Sequence, residues 1–473
     1  MGRSHVGLLP LYLELYDRVR ASARERMEAF YTLIGKELEN RGMEVLRVPV
    51  ARTRAEFRRA VRSFEARSAD AIVTLHLAYS PSLESADVLA STRLPLVVLD
   101  TTPAESFAPD ADPEEIMFNH GIHGVQDLCN LLMRRGKSYS IEAGHWRESD
   151  VLDRTAARVR GAAMASRMRS SRVGLIGRPF RGMGDFAVPR RRLARRIGLK
   201  TVPLSSQKLR SLLAGVTAQS IQTAKDENAG RFAVADMSPE AYDRSLRLSL
   251  AVENWVDAEE LTAWSFNFLA VTRAAGFPTV PFLAASRLMA RGIGYAGEGD
   301  VLTAALVGSL ASIYPETGFT EMFCPDWKGG AVFLSHMGEM NPELAAGKAE
   351  LHEMDYEFSD TDAPVVLSGC FREGRVLLVD LAPLPQRRFR LICSPATMLG
   401  AKGSDRMKTH VRGWLKPDLR LPDFLEAYSR AGGTHHLAVV YGADARAIHT
   451  FADAMGWESC FLGGLVPPGY FSR

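Results

Sequence analysis

The sequence is poor in the features that mark secreted, membrane-spanning and nucleic-acid-binding chains. Its 473 residues include only five cysteines, which are widely spread and form no Cys-x-x-Cys pair. This odd number and spacing favour reduced thiols in a cytoplasmic protein over a disulfide framework or a cysteine zinc site. No apolar run approaches about 18 residues, so we expect no membrane span, and the first residues lack the apolar core of a signal peptide.

An excess of charge of either sign is also missing. Lys and Arg total 58 against 55 for Asp and Glu, so the net charge is +3 and gives no reason to expect a nucleic acid partner. In the basic run 190–196, Leu193 and Ala194 interrupt the arginines at helical spacing. That spacing favours a solvated helix face over a polyanion site. No internal repeat is visible, and the composition is that of a globular chain.

Alternating apolar strands and helices set the expected architecture. Apolar runs at 6–10, 71–76 and 94–100 and a strand-like segment at 44–49 are separated by helical patterns, which predicts a flavodoxin-like parallel sheet covered on both faces. A second α/β unit is expected from residue 171, with a strand at 232–236. Separate strand-like runs after 316 predict an antiparallel, barrel-like region. The prediction is two doubly wound α/β domains (flavodoxin- or Rossmann-like), 1–170 and 171–316, and a C-terminal β-rich domain, 317–473, which completes the functional site.

Four short segments carry carboxylate and imidazole side chains. Glu298 lies between glycines before a predicted helix, Glu321 lies in a short polar run, His336 follows a strand, and His435 and His436 follow a glycine turn. Two carboxylates and two imidazoles suit a divalent first-row metal. The spacing alone also allows simpler interpretations: a helix-terminus carboxylate at Glu298, a satisfied buried histidine at His336, and a surface pair at His435 and His436.

The strongest motif is the stretch 277–306, Phe-Pro-Thr-Val-Pro-Phe-Leu-Ala-Ala-Ser-Arg-Leu-Met-Ala-Arg-Gly-Ile-Gly-Tyr-Ala-Gly-Glu-Gly-Asp-Val-Leu-Thr-Ala-Ala-Leu. It resembles the L-arabinose isomerase and L-fucose isomerase superfamily, in which this segment ends in a metal-binding Glu followed by Gly-Asp. The order Glu, Glu, His and then a late His-His pair also resembles that superfamily. The segments 119–124 and 143–146 are similar to parts of its N-terminal half, so the resemblance covers most of the chain.

The resemblance implies a metal centre and a reaction. Glu298, Glu321, His336 and His436 would hold a divalent ion, expected to be Mn²⁺, with Mg²⁺ or Co²⁺ as alternatives. The two glutamates would also be the catalytic acid–base groups, although the sequence does not decide which one is the base. The implied reaction converts a free pentose, hexose or deoxysugar from aldose to ketose through a cis-enediol. The superfamily further implies a homo-oligomer (trimer, tetramer or hexamer) in which a neighbour's N-terminal domain helps to close the site.

Further sugar contacts are expected at His76, His120, His123, Met183 and His435. His76 ends an apolar strand at the ligand-facing edge of the predicted sheet, where a satisfied buried histidine fits equally well. His120 and His123 share a face if that segment is helical, and we expect them to face a neighbouring subunit's site; a surface turn is the alternative. His435 is the neighbour of the metal ligand in the late pair.

The glycine-rich loop 177–185 follows a strand and therefore raises the question of a nucleotide site. It does not fit the G-x-G-x-x-G pattern, and no acidic partner lies at the expected place, so a dinucleotide is not favoured. The resemblance instead places this loop, near Met183, beside the sugar pocket.

The chain departs from typical arabinose isomerases around Glu321 and at 9–16, so it is a divergent member of the superfamily. Its sequence does not name the sugar, because hydrogen bonds to individual hydroxyl groups set that specificity. Two other hypotheses remain open. One is a sugar epimerase or dehydrogenase on the same scaffold, and the other is a non-catalytic sugar-binding protein that has kept the fold.

Overall fold

The computed structural model describes residues 4–20, 22–401 and 405–463. These residues form two compact units. The N-terminal unit consists of the chain up to Ser166 together with Arg446–Ala454, and the large unit consists of Arg167–Ala445 and the chain from Met455 onward. One helical segment near the end of the sequence therefore belongs to the N-terminal unit.

A five-stranded parallel sheet forms the centre of the N-terminal unit, in the order β2-β1-β3-β4-β5. Its strands are β1 (Ser4–Leu11), β2 (Met43–Arg47), β3 (Ala71–His76), β4 (Leu96–Asp100) and β5 (Ser140–Ala143). The helices are α1 (Glu14–Val19), α2 (Ala23–Asn40), α3 (Arg54–Ala66), α4 (Ser82–Ser91), α5 (Ile116–Asn119), α6 (Ile122–Arg134) and α7 (Val151–Arg169). This strand order is the flavodoxin-like order and confirms the predicted fold class of this region.

Both faces of this sheet are covered by apolar side chains. Val6 and Leu8 of β1 belong to one buried cluster, whereas Leu9 and Leu11 of the same strand belong to another. Successive strand side chains point to opposite faces, so these two clusters are the two sides of the sheet. Every residue of β3 is buried. The continuous apolar runs in the sequence follow from this two-sided burial.

The large unit contains a second parallel sheet, of four strands in the order β10-β9-β6-β7. The strands of this region are β6 (Arg172–Ile176), β7 (Lys200–Pro203), β8 (Ala233–Val234), β9 (Ala263–Phe266) and β10 (Gly294–Ala296). The helices are α8 (Arg190–Arg196), α9 (Ser206–Gly215), α10 (Ala218–Arg231), α11 (Pro239–Ala258), α12 (Phe282–Ala290) and α13 (Val301–Ala311). All residues of α13 are buried, so this helix has no solvent-facing side.

The rest of the large unit is a closed antiparallel barrel with additional edge strands. Its strands are β11 (Thr317–Asp326), β12 (Ala331–Ser335), β13 (Glu350–Glu353), β14 (Val365–Cys370), β15 (Gly374–Pro383), β16 (Phe389–Leu399), β17 (Val411–Pro417), β18 (His436–Tyr441) and β19 (Glu458–Phe461). Two helices follow β17: α14 (Leu421–Arg430) and α15 (Ala445–Met455). The ring β16-β15-β18-β11-β12-β17 closes through pairing of β16 with β17. The predicted barrel-like C-terminal region is confirmed.

One predicted strand belongs to a different sheet from the one expected. The strand at 232–236 was assigned to the second α/β unit, but β8 pairs in parallel with β13, with Ala233 opposite Glu350. Phe232, immediately before β8, is buried in the same hydrophobic cluster as Leu351 and Leu367 of the barrel region. Burial against this distant segment therefore decides the pairing, and proximity in sequence does not.

New sheets begin close to the two predicted domain boundaries. β6 starts at Arg172 and β11 at Thr317, beside the boundaries at 170 and 316. The large unit holds both the second sheet and the barrel, so the division into three domains stays a prediction. Within the described ranges, no helix is both long enough and apolar enough to cross a membrane.

His76 is the one titratable side chain at the end of β3, and it is enclosed. It is only 3% exposed, and neither ring nitrogen has a hydrogen-bond partner among the described residues. A Cβ atom on Gly124 would lie 2.4 Å from its ring, so α6 covers it closely. Burial lowers the pKa of His76 to about 3, and the nearby Asp127 carboxylate opposes this only in part. The folded N-terminal unit therefore strongly favours neutral His76.

This burial predicts that acid destabilises the N-terminal unit. The ordinary pKa of histidine is about 6.5, so below that pH the unfolded chain binds a proton that the folded unit excludes; between pH 7 and pH 5 the loss is about 2 kcal/mol. The measurement is hydrogen exchange of the β3 amides at both pH values, corrected for intrinsic exchange. His76→Leu should remove most of this pH dependence, and exposed His123→Gln should not. An unchanged pH dependence in His76→Leu would contradict the prediction.

Candidate metal centre

Strand register brings three of the four predicted metal ligands to one place. Glu321 lies in β11, between β12 and β18. It is directly opposite Ser335, the residue before His336, on one side and opposite His436 on the other. Residues directly opposite in an antiparallel pair project from the same face. Glu321 and His436 therefore share a face, and His336 follows immediately where β12 ends.

Glu298 reaches the same place from the turn between β10 and α13. Its backbone is in the left-handed region, with φ of 61°, and Gly299 follows with φ of 81°. A left-handed non-glycine residue costs of order 1 kcal/mol and persists only where its surroundings hold it. A Cβ atom on Gly297 would lie 3.0 Å from the ring of His336, so the glycine before Glu298 makes room for that imidazole.

The side-chain ends of these residues converge. The His436 Nε2 atom lies 2.9 Å from Glu321 Oε1 and 3.5 Å from Glu298 Oε2. The His336 Nε2 atom lies 3.3 Å from Glu321 Oε1. Two carboxylates more than about 6 Å apart could not both hold one ion, given ligand distances near 2 Å. The ligand atoms offered by Glu298 and Glu321 lie within 4.8 Å of each other, so the pair passes this test.

The identity of the second histidine is where the geometry and the expectation differ. The set whose ligand atoms all lie within 4.8 Å of one another is Glu298, Glu321, His435 and His436. His435 Nε2 lies 3.7 Å from Glu298 Oε2, whereas His336 is paired with Glu321 and Glu339. The four predicted ligands, with His336 and without His435, therefore stay a prediction. His435, predicted as a sugar contact, lies at the same centre.

Two of the atoms that converge here form no hydrogen bond with each other, and this arrangement fits a bound cation. Glu298 Oε2 and His436 Nε2 are buried, and neither has a hydrogen-bond partner with acceptable geometry among the described residues. Buried polar atoms are almost always paired, so two atoms without hydrogen bonds that face each other at 3.5 Å suit a cation bound by both. Carboxylate oxygens and imidazole nitrogens are donors that Mn²⁺ and similar divalent ions accept. The residues present therefore fit the implied metal.

Each of the two imidazoles, His436 and His336, also has a carboxylate next to its Nδ1 atom. Asp300 Oδ2 lies 3.1 Å from His436 Nδ1, and Asp300 Oδ1 accepts the N–H groups of Leu302 and Thr303 at the start of α13. Glu339 Oε1 lies 2.7 Å from His336 Nδ1. Such contacts fix the ring orientation and leave Nε2 free for a metal. Both histidines are therefore oriented with Nε2 toward the glutamates.

Asp300 and Glu339 are not among the site residues predicted from the sequence. Glu339 is further held by the Tyr295 hydroxyl, which donates to it at 2.7 Å, and by the N–H group of Gly338 at 2.8 Å. The available clue was spacing, since Asp300 lies two residues after Glu298 and Glu339 lies three after His336. Carboxylates close in sequence to ligands are common, however, and only the fold shows which imidazole each one contacts.

The electrostatics of the centre follow from its burial and its pairing. Burial opposes ionisation of Glu298, but the contacts with His435 and His436 outweigh it and lower the pKa of Glu298 to about 2. Burial likewise opposes ionisation of Glu321, and its contacts with His336 and His436 lower the pKa overall. Burial disfavours the charged form of His336, yet the nearby Glu339 and Glu321 carboxylates raise its pKa to about 10. The ionised form of these buried carboxylates is thus stabilised by positive charge beside them.

The other predicted sugar contacts are divided between the two units. Met183 is half-buried in the loop after β6, in the large unit. His120 follows α5 in the N-terminal unit and is paired at 2.9 Å with the Tyr16 hydroxyl, and His123 lies exposed in α6 with its ring 5.8 Å from that of His120. His76 is buried under α6. The structure describes these positions, and their contact with a sugar stays a prediction.

The sequence matches two family models that adjoin one another. The model of the L-arabinose isomerase central domain matches residues 194–314, and the model of the L-arabinose isomerase C-terminal domain matches residues 316–458. Together they contain all four predicted metal ligands.

Curated relatives are similar over most of the chain. The L-arabinose isomerase of Anoxybacillus flavithermus is 26% identical over 82% of this chain and 79% of its own length. That of Geobacillus thermodenitrificans is 27% identical over the same shares, and that of Shouchella clausii is 24% identical over 96% of this chain and 92% of its own. The chain therefore belongs to the L-arabinose isomerase family of sugar isomerases, as a divergent member.

Proposed function

We propose that this protein is a metal-dependent aldose–ketose isomerase that acts on a free pentose, hexose or deoxysugar. The observation that carries the proposal is the convergence of Glu298, Glu321 and His436 on one buried point, where Glu298 Oε2 and His436 Nε2 have no well-formed hydrogen bond to any described residue. A divalent ion, Mn²⁺ before Mg²⁺ or Co²⁺, suits this mixed carboxylate and imidazole set. Membership in the L-arabinose isomerase family supports the sugar as substrate.

The proposed mechanism is a proton transfer between neighbouring carbons. One of Glu298 and Glu321 removes the proton from C2 of the open-chain aldose and returns it to C1, and the other moves the hydroxyl proton from O2 to O1, through a cis-enediol. The bound metal supplies Lewis-acid stabilisation of the negative charge that develops on the substrate oxygens. The two side chains are 15% and 12% exposed, so little water competes for these protons.

His336 and His436 complete the proposed ligand set. Glu339 and Asp300 hold their Nδ1 atoms, at 2.7 Å and 3.1 Å, so that each ring presents Nε2 to the glutamates. A neutral imidazole donates one lone pair to a metal, and a carboxylate on the opposite nitrogen raises the basicity of that lone pair. His435 and Met183 are proposed as sugar contacts beside this centre.

We further propose that the protein works as a homo-oligomer in which a neighbour's N-terminal unit completes the site. Exposed apolar side chains gather in the segments that follow β1 and β4, at the carboxyl edge of the N-terminal sheet; they are Leu15, Val19, Phe107, Ile116 and Ile122. His120 and His123 lie in the same segments. An exposed apolar group at the default ligand edge of such a sheet indicates a protein partner.

Five free thiols support a reducing location. Among the described residues, Cys129, Cys324, Cys370, Cys393 and Cys460 are all unpaired. Secreted proteins with several cysteines generally pair them. We therefore propose the cytoplasm as the location.

Removal of charge from either glutamate tests the metal centre and the chemistry together. Glu298→Gln and Glu321→Gln should each lower kcat by at least about 1,000-fold, since each removes both a metal ligand and a proton carrier. Binding of Mn²⁺ alone, followed by electron paramagnetic resonance, should weaken at least about tenfold. Exposed Glu373→Gln is the matched control and should leave both unchanged.

The wild-type assay decides between the competing functions. Purified protein with Mn²⁺ is supplied with a panel of aldoses, and ketose formation is followed with and without NAD. A nicotinamide absorbance change without ketose would reject the isomerase in favour of a dehydrogenase. Sugar binding without turnover on any aldose, retained in both glutamine variants, would favour a non-catalytic binding protein.

Subunit mixing tests whether the site is shared between chains. Glu298→Gln protein is mixed with a His120→Ala, His123→Ala double variant under conditions that exchange subunits. If the site combines one chain's metal centre with its neighbour's N-terminal unit, about a quarter of sites in a random mixture regain both intact halves, and activity returns. If each site belongs to a single chain, the mixture stays as inactive as its components, which would contradict the proposal.

A further inference from the structure

The glycine-rich loop at 177–185 has no role in the proposed function beyond the sugar contact proposed at Met183. It follows β6, and its backbone is fixed against the Glu298 turn. The N–H group of Phe180 donates to the Glu298 carbonyl at 2.9 Å, and the Asn267 side chain donates to the Arg178 carbonyl at 2.8 Å. A Cβ atom on Gly299 would lie 2.8 Å from that same carbonyl oxygen. Gly299 thus allows the two turns to lie directly against each other.

The loop ends at Asp185, whose carboxylate contacts His435 twice. Oδ2 of Asp185 accepts the backbone N–H group of His435 at 3.0 Å and lies 2.6 Å from His435 Nδ1. The next residue, Phe186, stacks on the ring of His436, with centroids 4.7 Å apart and planes at 10°. Two consecutive residues of this loop therefore cover the histidine pair from one side.

The opposite side of the same turn is also fixed. The Asp380 carboxylate, buried in the barrel, accepts the N–H group of Thr434 at 2.9 Å and the Thr434 hydroxyl at 2.8 Å. The Tyr428 hydroxyl donates to the Thr434 carbonyl at 2.6 Å. The backbone immediately before His435 is thus immobilised, and the remaining freedom is the rotation of the His435 ring, which Asp185 removes.

The two histidines of the pair differ in access. The His436 side chain is fully buried and is directed at both glutamates, whereas the His435 side chain is 39% exposed. A carboxylate on Nδ1 keeps the proton there, because an ionised carboxylate only accepts hydrogen bonds. The other nitrogen of His435, Nε2, lies 3.7 Å from Glu298 Oε2, beyond hydrogen-bond distance.

We propose that Asp185 is a positioning residue that holds the His435 ring through Nδ1, so that Nε2 is presented to a hydroxyl group of a sugar bound beside Glu298. The identity of the ligand as a polyhydroxylated sugar rests on the proposed function. The contact between Asp185 and His435 does not. Asp185 acts through His435 and touches neither the metal ligands' Nε2 atoms nor the reacting carbons.

The test separates binding of metal from binding of sugar. Asp185→Asn and Asp185→Ala are titrated with Mn²⁺ alone, and the Mn²⁺-loaded proteins are then titrated calorimetrically with L-arabinitol and other pentitols and hexitols, which cannot isomerise. Mn²⁺ affinity should stay within about twofold of wild type, whereas alditol affinity should fall about tenfold in Asp185→Ala. His435→Gln should lose a similar factor, and the double variant should lose no more than either single one, because the two residues act as one unit. Exposed Asp226→Asn is the control.

Nuclear magnetic resonance gives a readout that does not depend on the sugar. In protein with ¹⁵N-labelled histidine, His435 should show the tautomer protonated at Nδ1 in wild type and Asp226→Asn and should lose it in Asp185→Ala, with His435→Gln for assignment. Equal losses of Mn²⁺ and alditol affinity in Asp185→Ala would overturn the inference and make His435 a metal ligand. Additive losses, or a wild type that binds Mn²⁺ but no alditol, would also overturn it. A wild type that binds no Mn²⁺ rejects the proposed metal centre, and the tautomer result then still decides whether Asp185 orients His435.

Discussion

Burial of two carboxylates at one point is the constraint on which the rest of the large unit depends. Glu298 and Glu321 come from different sheets and are both mostly shielded from water. Buried charges are tolerated only when they are paired or hold a metal. His336 and His436 supply the first compensation, and Asp300 and Glu339 fix those rings from behind. The left-handed backbone at Glu298 is a conformation that this arrangement maintains.

The sequence predicted the sheets where burial is local and repetitive. β1 and β3 lie between two apolar layers, so their runs of Val, Leu and Ile identify them without any knowledge of partners. It did not predict which sheet β8 joins, because that depends on burial of Phe232 against a segment more than a hundred residues later. For the same reason the sequence did not predict roles for Asp300 and Glu339, because each role depends on which imidazole the carboxylate contacts in the folded chain. His336 and His436 were named through family resemblance, because spacing alone left simpler interpretations open.

The glycine-rich loop shows how one sequence pattern serves different chemistry. A phosphate-binding loop keeps its backbone N–H groups free to contact an anion. Here the N–H group of Phe180 is already used by the Glu298 carbonyl, and the Arg178 carbonyl accepts from Asn267. The close contact is between two turns of the protein itself, and Gly299, in the Glu298 turn, makes room for it. A glycine-rich loop after a strand therefore need not bind a ligand through its backbone.

A buried metal ligand and an accessible sugar contact cannot be the same residue, and the two adjacent histidines differ in burial accordingly. His436, the proposed metal ligand, is buried in the barrel, and Asp300 fixes its ring at Nδ1. His435, the proposed sugar contact, precedes β18 and is 39% exposed, so a ligand can reach it. Their rings are nevertheless 4.3 Å apart, so a sugar that reaches His435 also reaches the metal centre. In the proposed arrangement, sugar preference can change at His435, Asp185 and the Met183 loop while the buried glutamates and His436 stay fixed.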